Sequence, residues 1–124
     1  TCPFHGDCLE GLACGPAIHA RWGATLADLG PTHVAHAILG NYLGQFAATL
    51  ALVLSTQRIV FGGGVAGDGA LLQKIRSVAS RMLNGYLPLG RAAPTLDDYI
   101  VSPGLGDRSG IAGAHLLARE AVGR

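Results

Sequence analysis

Three side chains that bind soft metal ions lie within seven residues near the start of the sequence. Cys2, His5 and Cys8 follow the spacing C-x2-H-x2-C, and the proline and glycine between them suit a tight loop. Two thiolates and an imidazole are ligands typical of a tetrahedral Zn²⁺ site. The alternative is two reduced cysteines beside an unrelated histidine, but three soft ligands at this spacing favour the metal. The sequence therefore predicts a zinc loop at residues 2–8.

A closed structural zinc site takes a fourth ligand. Cys14 and His19 are candidates, but Cys14 falls within the helix predicted to follow the loop, so we expect a ligand upstream of Thr1. The three cysteines are an odd number confined to the first fourteen residues, so they do not indicate a disulfide framework. This cysteine usage, and the lack of a segment resembling a signal peptide, predict a cytoplasmic protein.

A second candidate site is the glycine-rich run at residues 62–67, which satisfies G-x-G-x-x-G between a predicted strand and a predicted helix. A dinucleotide fingerprint needs an acidic residue about twenty positions further on, and residues 82–90 contain none. The glycines would still let the backbone approach a base or a phosphate and direct N–H groups at it. The alternative is a bare strand-to-helix turn that needs positive φ, so both interpretations stay open.

A third glycine-rich run, at residues 104–110, misses that spacing by one residue. We predict that Asp107 caps the last helix and that Gly110 and Gly113 permit close packing. The chain has neither a G-x-S-x-G elbow nor a P-loop lysine motif, so hydrolase and Walker-type NTPase functions lack support. Three further histidines lack metal-ligand spacing and are predicted to be ordinary helix residues: His33, His36 and His115.

Alternating helices and short strands must position these groups. A helix is predicted over residues 8–22, kinked or restarted at Gly15 and Pro16. Apolar runs with β-branched residues predict strands at 58–61 and 99–101, the first buried on both faces. The other predicted helices cover 34–54, 70–83 and 109–121. This alternation predicts an α/β layer fold.

The predicted helix at 34–54 carries no charge, is long enough to cross a bilayer, and contains a GxxxG pair at Gly40 and Gly44. A polar stripe at helical spacing instead favours a buried core or interface helix over a membrane span: His33, Asn41, Gln45 and Thr49. We expect the opposite face to be buried: Ile38, Leu39, Tyr42, Leu43, Phe46, Leu50, Val53 and Leu54. The helix at 70–83 should bury a face of its own: Leu71, Leu72, Ile75, Val78, Ala79 and Met82.

Composition limits the class of protein. The 124 residues suit one globular domain, and only 14% are charged against about 25% in an average soluble domain. A mean hydropathy of +0.36 excludes a disordered tail. Nine basic residues are spread along the chain and offset by eight acidic ones, which argues against nucleic-acid binding. A surface with so few charges predicts that part of it contacts other protein, which would be the case for a piece of a larger molecule.

Several segments together resemble bacterial fructokinases, which belong to the ROK group of sugar kinases and repressors. Residues 2–17 resemble the zinc loop and following helix of these enzymes, and residues 58–65 resemble the group's glycine-rich segment. Residues 84–86, 98–101 and 103–114 match the remaining fructokinase signatures. The resemblance runs in order along nearly the whole chain.

The resemblance implies an α/β fold that is the C-terminal half of an actin-like, ribonuclease-H-like ATPase. Residues 1–124 would form this C-terminal fragment, with the N-terminal domain missing. In such kinases Mg²⁺-ATP phosphorylates a hydroxyl of fructose or a related hexose in a cleft between two domains. The family's N-terminal phosphate loop and catalytic aspartate have no counterpart here, so the resemblance implies no catalytic residue in this chain and no turnover from it alone.

Site residues follow from the resemblance position by position. Cys2, His5 and Cys8 would be three ligands of a structural Zn²⁺ that shapes the sugar pocket, the fourth being a histidine upstream. Glu10 would hydrogen-bond the sugar hydroxyls, although by itself it is only a first-turn carboxylate favoured by the helix dipole. The residues implied along the adenosine part of ATP are Pro16, Gly62, Gly63, Gly64 and Val65.

Two other functions stay open at this point. The ROK group includes sugar-responsive repressors, in which a similar domain senses sugar and a separate winged helix binds DNA. A zinc-stabilised module that only dimerises through its charge-poor helices is the other alternative. The resemblance also implies a homodimer, with no nucleic-acid or membrane contact from this chain.

Overall fold

The structure, a computed structural model, describes residues 2–87 and 95–123. Two short strands, β1 (Ile59–Val60) and β2 (Ile100–Val101), lie among the helices, and a 3₁₀ turn covers Gly106–Arg108. The helices α1 to α7 are Leu9–Ala13, Gly15–Trp22, Leu26–Leu29, Val34–Leu54, Gly69–Leu83, Leu96–Tyr99 and Ser109–Val122. The predicted helices are confirmed, with α1 ending before Gly15 and α2 restarting at Gly15 and Pro16. Both predicted strands are found but are shorter than expected, because Arg58 and Phe61 lie outside β1 and Tyr99 belongs to α6.

The two strands form a parallel pair, with Ile59 opposite Ile100 and Val60 opposite Val101. Helices α5 and α6 connect them, as parallel strands require a crossover. This strand–helix–strand arrangement confirms the α/β prediction. The prediction that the first strand is buried on both faces is wrong, because Val60 is 58% exposed while Ile59 is buried. In the described ranges only one side of this short sheet is covered.

Helices α4 and α5 pack together more closely than large side chains would allow. A Cβ added at Gly44 would lie 2.5 Å from Cβ of Val78 and 2.9 Å from the carbonyl oxygen of Ile75. At Gly40 an added Cβ would collide with Lys74. The remaining buried residues of α4 are mostly alanines, together with one leucine and one histidine: Ala35, His36, Leu39, Ala47, Ala48 and Ala51.

The buried face predicted for α4 is therefore wrong in part. Leu39 is buried, but Phe46, Val53 and Leu54 are exposed by 42%, 73% and 60%. The physical reason is that the small glycine and alanine residues of α4 form its contact with α5, so that the bulky residues of α4 lie outside this contact. The face predicted for α5 is also wrong at its end, where Met82 is 55% exposed and Leu83 is buried instead.

Helix α4 is long and apolar enough to cross a membrane, and it is the one such helix in the described residues. About two-fifths of its most apolar window, 39%, is buried inside the protein. Since the buried residues of α4 pack against α5 and belong to the hydrophobic core of the protein, α4 is explained as a core helix. It does not indicate a membrane protein.

The prediction that Asp107 caps α7 is wrong. Asp107 lies within the 3₁₀ turn, which continues directly into the helix, and Arg108 at the N-cap position has helical backbone angles. A capping side chain needs an extended N-cap residue, and none exists at this start. The Oγ of Ser109 instead donates to the carbonyl oxygen of Gly106 at 2.7 Å. The close packing expected at Gly110 and Gly113 is also not found among the described residues.

The contact between α4 and α5 gives a test by substitution. Gly44→Ala should destabilise the protein by about 1–3 kcal/mol, because the added methyl group overpacks the contact with Val78. Gly113→Ala is the matched control, since an added Cβ there meets nothing within 4 Å and alanine favours a helix. The free energy of unfolding in urea is the measurement. A Gly44→Ala protein as stable as Gly113→Ala would contradict the packing.

Candidate functional site

The cysteine–histidine loop is held closed by its own backbone. The N–H of Cys2 donates to the carbonyl oxygen of Gly6 at 2.8 Å, and the N–H of Gly6 donates to the carbonyl oxygen of Cys2 at 2.9 Å. The return of the chain uses a φ of +68° at Gly6, which glycine adopts without strain. These bonds close a five-residue turn that contains Cys2 and His5, and Cys8 follows it two residues later.

The donor atoms of this cluster fit a metal ion. One ligand atom each from Cys2, His5 and Cys8 lies within 4.8 Å of the others, and Sγ of Cys2 is 3.7 Å from Nδ1 of His5. Tetrahedral zinc with its usual bond lengths would separate a sulfur and a nitrogen ligand by about 3.6 Å. No fourth Cys, His, Asp or Glu joins the cluster among the described residues, and both Cys14 and His19 lie outside it.

The loop also favours the thiolate form that a metal binds. The backbone N–H groups of Phe4 and His5 lower the pKa of the Cys2 thiol, and a hydrogen bond with Cys8 adds to this. Burial and the nearby charge of Glu10 act in the opposite direction but are outweighed. Because metal ligation requires deprotonated sulfur, a lowered pKa prepares this site for a cation.

Helix α1 begins directly after Cys8 and lies against the loop. Cys8 occupies its N-cap position, and Glu10 is its second residue. A Cβ added at Gly11 would lie 2.7 Å from the backbone nitrogen of Cys2 and would also collide with the carbonyl oxygen of Gly6. Only glycine fits this contact, so the loop fixes the direction in which α1, and with it Glu10, leaves the cluster.

Glu10 and the glycine segment, defined as residues 62–67, line one cavity of about 440 Å³. Gly62, Gly63 and Gly64 line it together with Glu10. The remaining lining is mostly apolar and is made by Leu9, Ala13, Cys14, Gly15, Leu43, Phe61, Val65 and Ala66. Residues that are fifty positions apart in sequence thus share one concave surface.

A neighbouring cavity of about 630 Å³ lies on the α2 side of the glycine segment. Pro16, Gly64 and Val65 line it, and these are three of the residues that the resemblance assigns to the adenosine part of ATP. The other lining residues are Gly15, Ile18, His19, Thr25, Leu26 and Ala27. Gly15, Gly64 and Val65 belong to both cavities, so the two are contiguous.

A third cavity, of about 510 Å³, lies between the glycine segment and the start of α7. It is lined by Gly62, Gly63, Gly64 and Gly67 on one side and by Ser102, Pro103, Gly106, Asp107, Ser109 and Gly110 on the other. A Cβ added at Gly62 would lie 2.8 Å from Cγ of Pro103, so these two segments approach closely. Residues 104–110 were predicted to have only capping and packing roles, so their juxtaposition with the glycine segment was not expected.

A partly buried contact at the end of the glycine segment was not predicted from the sequence. Nε2 of His36, on α4, lies 3.0 Å from Oδ2 of Asp68. Oδ1 of Asp68 accepts hydrogen bonds from the N–H groups of Ala70 and Leu71 and so caps α5. Burial alone would raise the pKa of Asp68, but the hydrogen bonds from His36, Leu71 and Ala70 outweigh it and lower the pKa.

The profile of the ROK family matches residues 1–121. Since this match covers nearly the entire chain, the chain belongs to the ROK family. Membership implies an actin-like ATPase fold, with which the parallel strands and their crossover helices are consistent.

Curated relatives show the same similarity. The chain is 40% identical over 121 residues to a putative fructokinase of Bacillus subtilis (strain 168). The aligned region covers 98% of the chain and 40% of the relative. The chain is 41% identical over 119 residues to a fructokinase of Zymomonas mobilis subsp. mobilis, over 94% of the chain and 38% of the relative. A fructokinase of Pediococcus pentosaceus is 40% identical over 122 residues, covering 98% and 41%. The chain therefore spans about 40% of the length of these relatives.

The metal cluster predicts a selective effect of Gly11. In Gly11→Ala the added methyl group displaces the loop at Cys2, so the protein should retain less zinc than the wild type after dialysis against a chelator. Cys2→Ser combined with Cys8→Ser should abolish retention, because two of the three soft ligands are lost. Elemental analysis and the absorption of a cobalt-substituted protein are the measurements. Cys14→Ser, outside the cluster, is the control and should keep the metal; equal retention in all variants would refute the site.

The Asp68 carboxylate predicts an acid-dependent loss of stability. Its lowered pKa means that it stabilises the folded state above the ordinary carboxyl pKa of about 4 and that this contribution is lost as the pH falls through the lowered value. Asp68→Asn cannot titrate, so the difference in unfolding free energy between wild type and Asp68→Asn should shrink from pH 6 towards pH 3. Urea unfolding at several pH values checks this, and a difference that stays constant would contradict it.

Proposed function

We propose that this chain supplies the hexose-binding and adenosine-binding surfaces of an ATP-dependent kinase that phosphorylates fructose or a related hexose. One observation carries the proposal: Glu10 and the glycine segment line a single cavity. The names of the relatives, all fructokinases or a putative fructokinase, support the substrate class. In a two-domain kinase of this kind, the chain would form the C-terminal half of the actin-like fold.

The chemistry of Glu10 suits a neutral sugar. An ionised carboxylate accepts hydrogen bonds from hydroxyl groups at both oxygens, and such charge-assisted bonds are stronger than neutral ones. The same negative charge repels phosphate, so the anionic end of ATP is disfavoured at this wall of the cavity. Glu10 is exposed and lies in the first turn of α1, so its carboxylate is available to a ligand.

The glycine segment, which lines the same cavity, suits the nucleotide. Gly63 adopts a φ of +96°, and Gly64 leaves open space where a side chain would stand, so the backbone itself forms the surface. Pro16 and Val65 contribute apolar area in the adjoining cavity, as a flat base requires. The adenosine group would therefore lie along Gly62 to Val65.

Zinc would be held by Cys2, His5 and Cys8, together with a histidine supplied from upstream of this chain. Its role is structural: it fixes the loop against Gly11 and thereby the position of Glu10. Mg²⁺ would arrive with ATP and neutralise the developing charge on its phosphates.

Glu10 is the one carboxylate that lines the cavity with the glycine segment, among the residues described for it. Asp107 lines the third cavity instead, and the resemblance to fructokinases gives neither Glu10 nor Asp107 the role of the base that takes the proton of the attacking hydroxyl. We therefore assign that base to an aspartate outside residues 1–124 and expect no turnover from these residues alone.

The protein would act as a cytoplasmic homodimer, for which the exposed apolar residues of α4 offer a contact: Phe46, Leu52, Val53 and Leu54.

The test is coupled ADP release with Mg-ATP and a panel of hexoses, on the protein expressed from its complete reading frame. Glu10→Gln should raise KM for the preferred hexose by about tenfold, the cost of weakening a hydrogen bond to a charged group. KM for ATP should change little. Glu120→Gln, on the exposed surface of α7, is the matched control and should behave as the wild type.

Other results would revise the proposal in defined ways. Fructose-dependent turnover that is indifferent to Glu10→Gln would remove Glu10 from the sugar site. Absence of turnover, with a hexose still raising the melting temperature, would indicate a sugar-sensing domain of the repressor type. A protein whose melting temperature responds to chelators but to no sugar or nucleotide would indicate a zinc-stabilised dimerisation module.

A further inference from the structure

The glycine segment is held in place at each of its two ends, and we call these two contacts its anchors. At its start, the N–H of Phe61 donates to the carbonyl oxygen of Val101 at 2.9 Å, which ties the segment to β2. At its end stands Asp68, the N-cap of α5. Between them, the N–H of Gly67 donates to the carbonyl oxygen of Gly63 at 3.0 Å. Four glycines in six residues give this backbone great freedom in the absence of restraint.

The second anchor depends on a residue from a different helix. Asp68 divides its oxygens: Oδ1 accepts from the N–H groups of Ala70 and Leu71 at 2.8 and 3.2 Å, while Oδ2 faces Nε2 of His36 at 3.0 Å. An ionised carboxylate only accepts hydrogen bonds, so Nε2 must carry the proton in this contact. The helix cap can form from Oδ1 alone, which leaves the contact with His36 free for another role.

Burial of His36 would be unfavourable if the residue had a purely structural role. Its side chain is 1% exposed, and its other ring nitrogen, Nδ1, is buried without a hydrogen-bond partner among the described residues. Burying an unpartnered polar atom is unfavourable, and an apolar side chain of similar size would avoid it. The contact through Nε2 is therefore the feature that distinguishes His36 from a core leucine.

We propose that His36 is a positioning residue for the nucleotide site: by holding the Asp68 carboxylate, its imidazole fixes the glycine segment relative to α4. This inference rests on the proposed function, because it assigns the segment to ATP. Helix α4 also contributes Leu43 to the cavity that the segment lines, so the contact sets the distance between two walls of the same site. Loss of the contact should loosen the segment and weaken nucleotide binding without affecting the sugar.

The first experiment compares two substitutions in the complete protein. His36→Leu removes the donor and should weaken binding of ADP about tenfold, as expected for the loss of one hydrogen bond to a charged group. His36→Gln keeps an N–H donor that can reach Asp68 and should restore most of the affinity. Calorimetry with ADP is the measurement, and KM for the hexose should be unchanged in both. His115→Leu, the same change at an exposed histidine of α7, is the control.

A second measurement tests positioning without reference to catalysis. In His36→Leu, hydrogen exchange should accelerate at the amides of Gly67, Ala70 and Leu71, while amides of α7 exchange as in the wild type. His36→Gln should again reverse the effect. If the protein phosphorylates no hexose and binds no nucleotide, the proposed function fails, whereas the exchange result still decides whether His36 holds the segment.

Two outcomes would overturn the inference. One is ADP affinity and amide exchange in His36→Leu that equal those of the wild type. The other is a uniform acceleration of exchange throughout the protein, which would mean that His36 only stabilises the core. If His36→Leu does not fold, Asp68→Asn replaces it: the amide keeps the capping oxygen but loses the acceptor for Nε2, and the same local loosening is expected.

Discussion

The close contact between α4 and α5 is the constraint on which the remaining structure depends. Gly40 and Gly44 allow the two helices to approach until side chains of one meet backbone of the other. His36 lies one turn before Gly40 on the same buried face, so the approach that the glycines permit is also what brings its imidazole to Asp68. Helix packing and the end of the glycine segment are thus determined by the same stretch of α4.

The sites are arranged around the glycine segment from several directions. The loop that holds Cys2, His5 and Cys8 precedes α1 and positions Glu10, whereas Pro16, which follows the break between α1 and α2 at Cys14, lines the adjoining cavity. The segment at the start of α7 closes on the other side through Pro103. A loop of small residues can serve three cavities because it has almost no side chains to fill them.

Local features of the chain were predictable from sequence, and contacts between distant residues were not. The spacing of Cys2, His5 and Cys8 and the helix restart at Pro16 depend on neighbours, and the structure agrees with both. Two short helices were missed, although Thr25 and Asp28, and likewise Thr95 and Asp98, have the spacing of a capping box. His36 and Asp68 lie 32 residues apart, and no local pattern marks such a pair. The buried face of α4 was misjudged because hydrophobicity predicts that large residues are buried, whereas close helix approach requires small ones.

A binding wall made of glycine backbone responds unusually to mutation. The groups it would present to a ligand are peptide N–H and C=O groups, which every residue carries, so truncating a side chain removes nothing from the wall. Gly64 could only gain atoms, and every atom gained would occupy the cavity that it lines. A conventional alanine scan, which identifies binding residues by deletion, would here act as a scan of insertions. The tolerance of each position to increasing side-chain size would then measure how closely the ligand approaches the main chain.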